Sequence, residues 1–454
     1  MRDRMEEALK HSNADYTEIR IETDIHSGLL FRGEELDQVG SARSVGGIVR
    51  ALVKGGWGIA TFNDLNHLED RVADAVECAR LVGTKTSRLA AVEPVVDKMT
   101  VELERDFRGV PLSEKMKVAE EYNEAILHYD DSIQSTVVLY KDRYRELYYA
   151  NSEGSYIEDH RPYTTVSMQA IARKGDNVQR AKESNAGKGG FEIAEGLHEK
   201  ALTAAKQAVD LLSASPVKGG KYTVVLDPIL AGVFAHEAFG HLSEADFVYE
   251  NERMKELMLL GRRFGPEFLN IIDDGSIPDQ QGTHKYDEEG VKTRENYLIK
   301  EGVLVGRLHS RETAGIMGEE PTGNARALSY DSEPIVRMTN TYIDKGNSTF
   351  QDMISDIELG IYAVDSLGGQ TELEMFTFSA GYAYMIRNGK VAELVRDVVL
   401  TGNVFETLEN INMIGDKLEW PRSGGGCGKG DQSPLPVGIG SPHIRIRNVV
   451  IGGR

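Results

Sequence analysis

The sequence has few cysteines and no long apolar run. Only Cys78 and Cys427 occur among 454 residues, so we expect no disulfide framework and a reducing compartment. Residues 1–16 lack the apolar core that a signal peptide needs, and no segment approaches the ~18 to 20 uninterrupted apolar residues of a membrane span. These absences predict a cytoplasmic protein that does not cross a membrane.

Basic residues are also in the minority. Lys and Arg number 52 against 72 Asp and Glu, a formal net charge of −20. A nucleic-acid surface needs clustered cations, so this balance argues against a nucleic-acid partner and favours cationic or neutral ones. The length allows two or three domains, and the 40% hydrophobic content gives each a normal core.

Pro and Gly interrupt the periodic pattern at residues 213–221, SASPVKGGK, where we place a domain boundary. We predict an N-terminal domain over residues 1–215 and a C-terminal domain over residues 221–454. The fold class is α+β: a mixed α/β domain is followed by a domain with a large twisted antiparallel sheet.

The N-terminal half alternates strand and helix patterns. Ile19, Ile21 and Ile25 keep one parity, as in an edge or half-buried strand. Cys78 lies beside the apolar face of a predicted helix, and we expect a small buried hydrophobe there. Strands are predicted over residues 133–140, 145–150 and 163–172, and helices over residues 68–82, 113–128 and 197–212.

Three pairs of strand patterns flank short turns and predict β-hairpins. Their turns lie at residues 54–56, 300–302 and 387–390, and the last contains Asn-Gly, a strong short-range hairpin signal. Apart from a helix around residues 254–262 and the segment that follows Leu226, the second half is rich in strands.

That segment, residues 227–246 (DPILAGVFAHEAFGHLSEAD), contains the candidate chemistry. A β-branched run precedes Asp227 and Pro228, which are typical of a helix N-cap and first helical residue. His236, Glu237 and His241 follow within the predicted helix. Glu237 and His241 share the helix face on which apolar residues recur every three or four positions, so both should be buried. Buried imidazoles and carboxylates need partners, and a bound cation would satisfy both.

The two histidines are five positions apart, so in a regular α-helix they diverge by about 140°. Both can reach one ion only if the turn widens or ends between them, and Gly240 is a natural place for that. The alternative is that His236 forms a local hydrogen bond while Glu237 and His241 form an i, i+4 pair.

A second segment, residues 423–436 (SGGGCGKGDQSPLP), places Cys427 in a glycine-rich loop. Such glycines let the backbone pass close to another group or let a thiolate reach a fixed point. Zinc binds Cys sulfur and His nitrogen, and a catalytic zinc has three protein ligands and a water. His236, His241 and Cys427 would make such a set; the alternative is a flexible loop with an incidental thiol.

Several segments together resemble the TldD/PmbA family, and specifically its TldD-type zinc metallopeptidase subunit. They are GGWGIATFNDL at residues 55–65, HEAFGH at 236–241, GTHKYDEEG at 282–290, PTGNARALSY at 321–330 and GCGKGDQSPLPVGIGSP at 426–442. The sister subunit of that family lacks the HExxxH motif, which this chain has. The resemblance implies that His236, His241 and Cys427 are zinc ligands and that Glu237 is the catalytic carboxylate.

The resemblance also implies the substrate and the partner. The expected substrate is an unfolded or extended peptide, admitted to an enclosed cavity and held as an added strand. The expected assembly is a heterodimer with a TldE/PmbA-type sister subunit, with a homodimer as the alternative.

The function we predict is zinc-dependent peptide hydrolysis, in which Glu237 acts as general base towards a metal-activated water. The competing hypothesis is a non-catalytic peptide-binding or scaffold subunit with a structural zinc. A structural site is closed by a fourth protein ligand, for which His309, His443 and Glu237 are the candidates.

Two further clusters have ordinary structural interpretations. Asn324, Arg326 and Tyr330 could face the substrate or stabilise an oxyanion; we favour a turn at Asn324 and an Arg326–acid pair. We expect the acidic residues 287–289 to form a solvated turn, and we do not assign them to metal.

Overall fold

The computed structural model describes residues 1–83 and 87–452. The helices and strands of the N-terminal half are α1 (Arg2–Leu9), β1 (Tyr16–Arg32), β2 (Glu35–Val53), β3 (Gly56–Phe62), α2 (Leu68–Val82), β4 (Val96–Met99), α3 (Leu112–Leu127), β5 (Ile133–Asn151), β6 (Tyr156–Lys174), β7 (Asn177–Gly187) and α4 (His198–Ser213).

The C-terminal half continues in the same order, with many short elements. They are β8 (Ser215–Pro216), β9 (Gly220–Leu226), α5 (Pro228–Ala235), α6 (Ala245–Glu250), α7 (Glu252–Leu257), β10 (Ile271–Asp274), β11 (Glu295–Lys300), β12 (Val303–Leu304), α8 (Arg311–Met317), β13 (Ala325–Arg326), β14 (Ile335–Val336), β15 (Asn340–Ile343), α9 (Phe350–Ser355), β16 (Leu359–Glu372), β17 (Met375–Arg387), β18 (Lys390–Arg396), β19 (Val399–Asn403), α10 (Val404–Glu409), β20 (Ile411–Ile414), β21 (Cys427–Lys429), β22 (Gln432–Leu435), β23 (Gly438–Gly440) and β24 (Ile444–Gly452).

The N-terminal half is built on one sheet, in the order β3-β2-β1-β5-β6-β4, with β7 also paired to β6. Its pairings are antiparallel except between β4 and β6. Helices α3 and α4 share one apolar core with β5 and β6, while α1 and α2 share another with β1 and β2. The mixed α/β character predicted for this half is confirmed.

Three local predictions for this half are wrong. Strand β1 is neither an edge strand nor half-buried: β2 and β5 flank it, and its first nine residues are buried on both faces. The strand patterns at residues 133–140 and 145–150 belong to one continuous strand, β5. Cys78 is exposed, because the buried stripe of α2 passes through Ala75, Val76 and Ala79 and leaves position 78 outside it.

The C-terminal half contains the predicted large antiparallel sheet. The strand order is β16-β9-β24-β19-β17-β18-β8, and β17 also pairs with β16, so that the strands from β16 to β17 close into a ring. Two pairings, β9 with β16 and β8 with β18, are parallel. The smaller sheet has the order β12-β11-β10-β15-β23, and α5 packs against its strands β15 and β23 as well as against β16. The α+β class is therefore confirmed.

All three predicted hairpins form, and each turn places two residues at positive φ, the second of which is a glycine. The central pairs are Lys54-Gly55, Glu301-Gly302 and Asn388-Gly389, with φ between 48° and 77°. A two-residue turn with this backbone matches the twist of the flanking strands. The helix predicted around residues 254–262 is shorter and earlier, at α7.

The acidic cluster at residues 287–289 is buried, so the prediction of a solvated turn is wrong. Glu288 forms an ion pair with Arg161 at 2.7 Å. Glu289 forms one with Arg50 at 3.0 Å and accepts a hydrogen bond from the backbone N–H of Arg311 at 2.7 Å. Arginines of the N-terminal sheet compensate these charges, so the cluster joins the two halves of the chain.

No helix in the described ranges is both long enough and apolar enough to cross a membrane.

Candidate metal centre

The candidate centre begins at the junction between β9 and α5, which forms as predicted. The Asp227 carboxylate accepts a hydrogen bond from the backbone N–H of Leu230 at 2.8 Å, and Pro228 occupies the first turn. This cap satisfies a backbone donor that would otherwise be unpaired at the helix start. The strand and the cap fix where the helix begins, and therefore where His236 lies two turns later.

The helix does not continue regularly through the histidines. After α5, residues His236–Gly240 form one π-helical turn, in which the backbone N–H of His241 donates to the carbonyl of His236. A 3₁₀ turn at His241–Ser243 follows. The widened turn that the five-residue spacing requires is present, and it brings residues five apart onto one side of the helix.

Gly240 is required by a close contact rather than by its backbone angles. A Cβ atom at this position would collide with the sulfur of Met338. With the turn packed this closely, the rings of His236 and His241 lie 5.2 Å apart between centroids, at an interplanar angle of 82°. The two imidazoles therefore face a common point.

Cys427 reaches that point on the short hairpin of β21 and β22, in which it pairs with Leu435. Arg337 is fully buried and holds the hairpin, donating to the carbonyls of Cys427 at 2.6 Å and Gln432 at 3.1 Å. In the preceding run, Gly426 passes so close to Leu435 that a side chain would not fit. Gly426 thus serves close backbone approach, the role that the sequence indicated for the glycines of this loop.

The three predicted ligands lie together. One ligand atom from each of His236, His241 and Cys427 lies within 4.8 Å of the others, and Nε2 of His241 is 3.3 Å from Sγ of Cys427. Bonds of ~2.0 to 2.3 Å to a tetrahedral zinc place two ligand atoms roughly 3.5 Å apart. The Nδ1 atom of His236 is buried without a hydrogen-bond partner among the described residues. Two imidazoles and a thiol are ligands that zinc prefers, and the ring nitrogen of His236 that is unpaired in the described chain lacks a partner that a metal ion could supply. The three side chains therefore suit a zinc ion.

The electrostatics favour the thiolate form of the cysteine. Burial raises the pKa of the Cys427 thiol, but the neighbouring rings of His236 and His241 outweigh burial and lower this pKa to about 4. The thiolate is the form that binds metal. For His241, burial lowers the pKa, but Glu244 and Cys427 outweigh burial. The net effect is a pKa well above the ordinary value.

Sequence reasoning missed the residues that orient His241. The Oε2 atom of Glu244 lies 3.1 Å from Nδ1 of His241 and accepts a hydrogen bond from it, which leaves Nε2 directed at Cys427. Lys429 in turn pairs with Glu244 at 3.0 Å and with Asp246 at 2.7 Å. A carboxylate behind a ligating histidine is a common arrangement. The sequence did contain one signal of this support, since Glu244 lies three positions after His241 and residues at that spacing share a helix face.

Glu237 lies beside the cluster and reaches solvent, with a quarter of its side chain exposed. Its Oε2 atom is 4.0 Å from Nε2 of His241. It lines two cavities, of about 340 and 520 Å³, which together border all three clustered residues. The carboxylate therefore faces the space where a ligand would lie.

The other histidines proposed as ligands lie elsewhere. His309 is 3.1 Å from Glu319 and from the hydroxyl of Thr313, and His443 is 3.1 Å from the hydroxyl of Tyr362. Within the residues described, neither belongs to the group of potential ligand atoms around Cys427.

The segment at residues 321–330 is structural, as we favoured, with two corrections. Asn324 is not part of a turn; it immediately precedes β13. Asn324 is fully buried and donates to Asp273 at 3.0 Å. The guanidinium of Arg326 does not pair with an acid in the described structure; it donates to the carbonyls of Met338 at 2.6 Å and Pro436 at 2.8 Å. Tyr330 accepts a hydrogen bond from Asn63.

Three family models match the chain in sequence order. They are described as PmbA/TldA metallopeptidase domain 1 at residues 17–81, the central domain at residues 105–212 and the C-terminal domain at residues 219–453. The matches cover the sheet of the N-terminal half, apart from β4, and the entire candidate centre.

Named relatives align over nearly the full length. A protein named metalloprotease from Synechocystis sp. is 45% identical over 443 residues, which are 97% of this chain and 96% of its own. One named zinc metalloprotease TldD homolog, from Saccharolobus solfataricus, is 29% identical over 448 residues, 97% of each chain. The crystal structure of TldE from Thermococcus kodakarensis shares the fold, with a TM-score of 0.78 at 18% identity over 100% of both chains.

Proposed function

The chain belongs to the TldD/PmbA metallopeptidase family, and from this premise we propose that it is a zinc-dependent peptidase acting on extended peptides. The observation that carries the proposal is the meeting of His236, His241 and Cys427 beside the partly exposed carboxylate of Glu237. Relatives named as metalloproteases support the reaction class, and the relative named as a zinc enzyme supports the metal.

In this proposal His236, His241 and Cys427 hold the metal. A bound Zn²⁺ supplies a Lewis acid that acidifies water and polarises a carbonyl. Glu244 fixes the tautomer of His241 by accepting a hydrogen bond from Nδ1–H, so that the other ring nitrogen is free to ligate. Burial of His236 and Cys427, each 4% exposed, keeps competing solvent away from the two ligands.

Glu237 is assigned the proton transfers. Its carboxylate borders both cavities, so it can take a proton from the attacking water and deliver it to the leaving amine.

The peptide would lie along β16. Strand β9 pairs with β16 only at Gly360–Ala363, whereas β17 continues along the other edge as far as Glu372. Residues 366–371 therefore have one edge without a described strand partner, and they line both cavities beside Glu237. A free strand edge can bind an extended peptide through main-chain hydrogen bonds.

The competing hypothesis is a peptide-binding or scaffold subunit with a structural zinc. Such a site needs a fourth protein ligand. Of the three candidates, His309 and His443 hydrogen-bond elsewhere, and Glu237 lies outside the group of ligand atoms that His236, His241 and Cys427 form. Three clustered ligands beside two cavities favour an open coordination position and hence catalysis.

Zinc analysis of the purified chain, combined with an assay on a panel of unstructured peptides, tests the proposal. We expect one zinc per chain, and a chelator should abolish cleavage while changing the melting temperature little. A large drop in melting temperature, with no cleavage before chelation, would favour the scaffold.

We further infer that the chain forms a heterodimer with a TldE/PmbA-type sister subunit, which the fold shared with TldE supports. Mass measurement of the chain expressed alone and with its sister distinguishes this assembly from a homodimer. A reducing compartment such as the cytoplasm suits the site, since Cys427 must remain a free thiol to ligate.

A further inference from the structure

A separate cavity of about 70 Å³ lies between the N-terminal sheet and the segment that follows β22. Most of its charged lining is cationic. The charged groups are Arg143, Arg145, Arg161, Lys188, Arg326 and one acid, Glu288. None of the clustered metal ligands lines it, so its role is independent of the proposed peptidase function.

Three of these cations are compensated by carboxylates. Arg145 pairs with Glu22 at 2.7 Å, and Arg161 pairs with Glu288 at 2.7 Å. The third, Arg143, pairs with Asp24.

The other two cations bond only to neutral groups in the described chain. Lys188 donates to the carbonyl of Thr283, and Arg326 donates to the carbonyls of Met338 and Pro436. Burial lowers the pKa of Lys188 to about 8 and that of Arg326 to about 10. Carboxylates act on these cations only from beyond ion-pair distance, Asp159 on Lys188 and Glu288 on Arg326, so an anion in direct contact with both cations would be stabilised.

His284, which also lines the cavity, needs a hydrogen-bond donor from whatever the cavity binds. Its Nδ1 atom lies 2.8 Å from the carbonyl of Gly282 and must donate to it. Burial and the nearby Arg326 and Arg161 lower the pKa of His284 well below its ordinary value, so the ring is neutral. The Nε2 atom then presents a lone pair, and it is buried without a partner among the described residues. An unsatisfied buried acceptor calls for a donor.

We propose that this cavity binds a small oxyanion that carries a proton, of which hydrogen phosphate is the simplest. Its charged oxygens accept hydrogen bonds from Lys188 and Arg326, and its hydroxyl donates to Nε2 of His284. A carboxylate such as acetate could satisfy the cations but has no proton for the histidine. The small volume favours the free anion over a phosphate carried by a larger molecule.

Calorimetric titration of the zinc-loaded protein in phosphate-free buffer tests the proposal. We expect saturable binding of inorganic phosphate, at least about tenfold tighter than binding of acetate, because one more buried hydrogen bond is made. Glycerol phosphate should bind no more tightly than the free anion; tighter binding would overturn the assignment to a free anion.

Two variants separate the contributions. Lys188→Met should weaken binding of both anions about tenfold or more and abolish the rise in melting temperature that phosphate causes in the wild type. His284→Phe should weaken phosphate alone. Lys174→Met removes an exposed lysine from the end of β6 and serves as the matched control, with wild-type affinity.

The wild-type comparison decides the outcome even if both variants fail to fold. Absence of saturable phosphate binding, or equal affinities for phosphate and acetate, would overturn the proposal. So would a folded Lys188→Met variant that binds phosphate as tightly as the wild type.

Discussion

The Nε2 atom of His241 lies 3.3 Å from the sulfur of Cys427, although 186 positions separate the two residues. One comes from a distorted helix and the other from a hairpin anchored by Arg337. The polypeptide thus builds a soft nitrogen–sulfur site from distant segments, and several consequences can be measured.

Glu237→Gln should lower kcat for peptide cleavage by about two to four orders of magnitude, because the amide cannot accept the proton. Zinc content should stay at the wild-type level, since the ligands are untouched. Glu77→Gln, at an exposed position on α2, is the matched control and should be fully active. A zinc-free Glu237→Gln protein would contradict the separation of proton transfer from metal binding.

Cys427→Ser should reduce zinc to background levels, because a hydroxyl replaces the thiolate whose pKa the two histidines lower. Cys78→Ser removes the other, exposed thiol and should retain both zinc and cleavage. Elemental analysis of the two purified variants gives the answer. The assignment fails if the two serine variants contain equal zinc.

Glu244→Gln should weaken zinc binding about 10- to 100-fold, because the carboxylate that orients His241 becomes an amide of similar size. Competition with a chromogenic chelator measures this change. Glu250→Gln changes an exposed carboxylate at the end of α6 and should match the wild type. Unchanged affinity in Glu244→Gln would mean that His241 needs no such support.

Glu288 should make the free energy of unfolding depend on pH in the acidic range. Burial raises the pKa of this carboxyl, but Arg161, with Arg145 and Arg20 nearby, outweighs burial and lowers it from 4.5 to about 2. A depressed pKa contributes stability that is complete above pH 4.5 and is lost as the pH falls towards 2, in total about 3 kcal/mol.

Denaturant unfolding at a series of pH values measures this loss. Glu288→Gln should be less stable at neutral pH and should show a shallower decline between pH 4.5 and 2, while the exposed Glu267→Gln should follow the wild type. Identical pH profiles for Glu288→Gln and the wild type would exclude Glu288 as the source.

Local chemistry explains which features could be predicted from sequence. The Asp227 cap and the Asn388-Gly389 turn depend on residues adjacent in the chain, so the local sequence pattern was sufficient to predict both. The widened turn followed from geometry, because His236 and His241 cannot face one point in a regular helix.

Features that depend on tertiary partners could not be predicted. Residues 141–144 of β5 look like a break because they are mostly charged, yet Asp142 pairs with Lys115 and Arg143 pairs with Asp24 inside a continuous strand. The acidic residues 287–289 resemble a surface turn until the N-terminal arginines are brought against them. Lys429 was overlooked as a support of the metal site for the same reason.

X-ray absorption at the zinc edge of the purified protein tests the central claim most directly. We predict one sulfur at ~2.3 Å and two imidazole nitrogens at ~2.0 Å in the wild type, and no sulfur contribution from any zinc that Cys427→Ala binds when zinc is supplied in excess. A wild-type spectrum without sulfur, or one that is unchanged in Cys427→Ala, would contradict a zinc site formed by His236, His241 and Cys427.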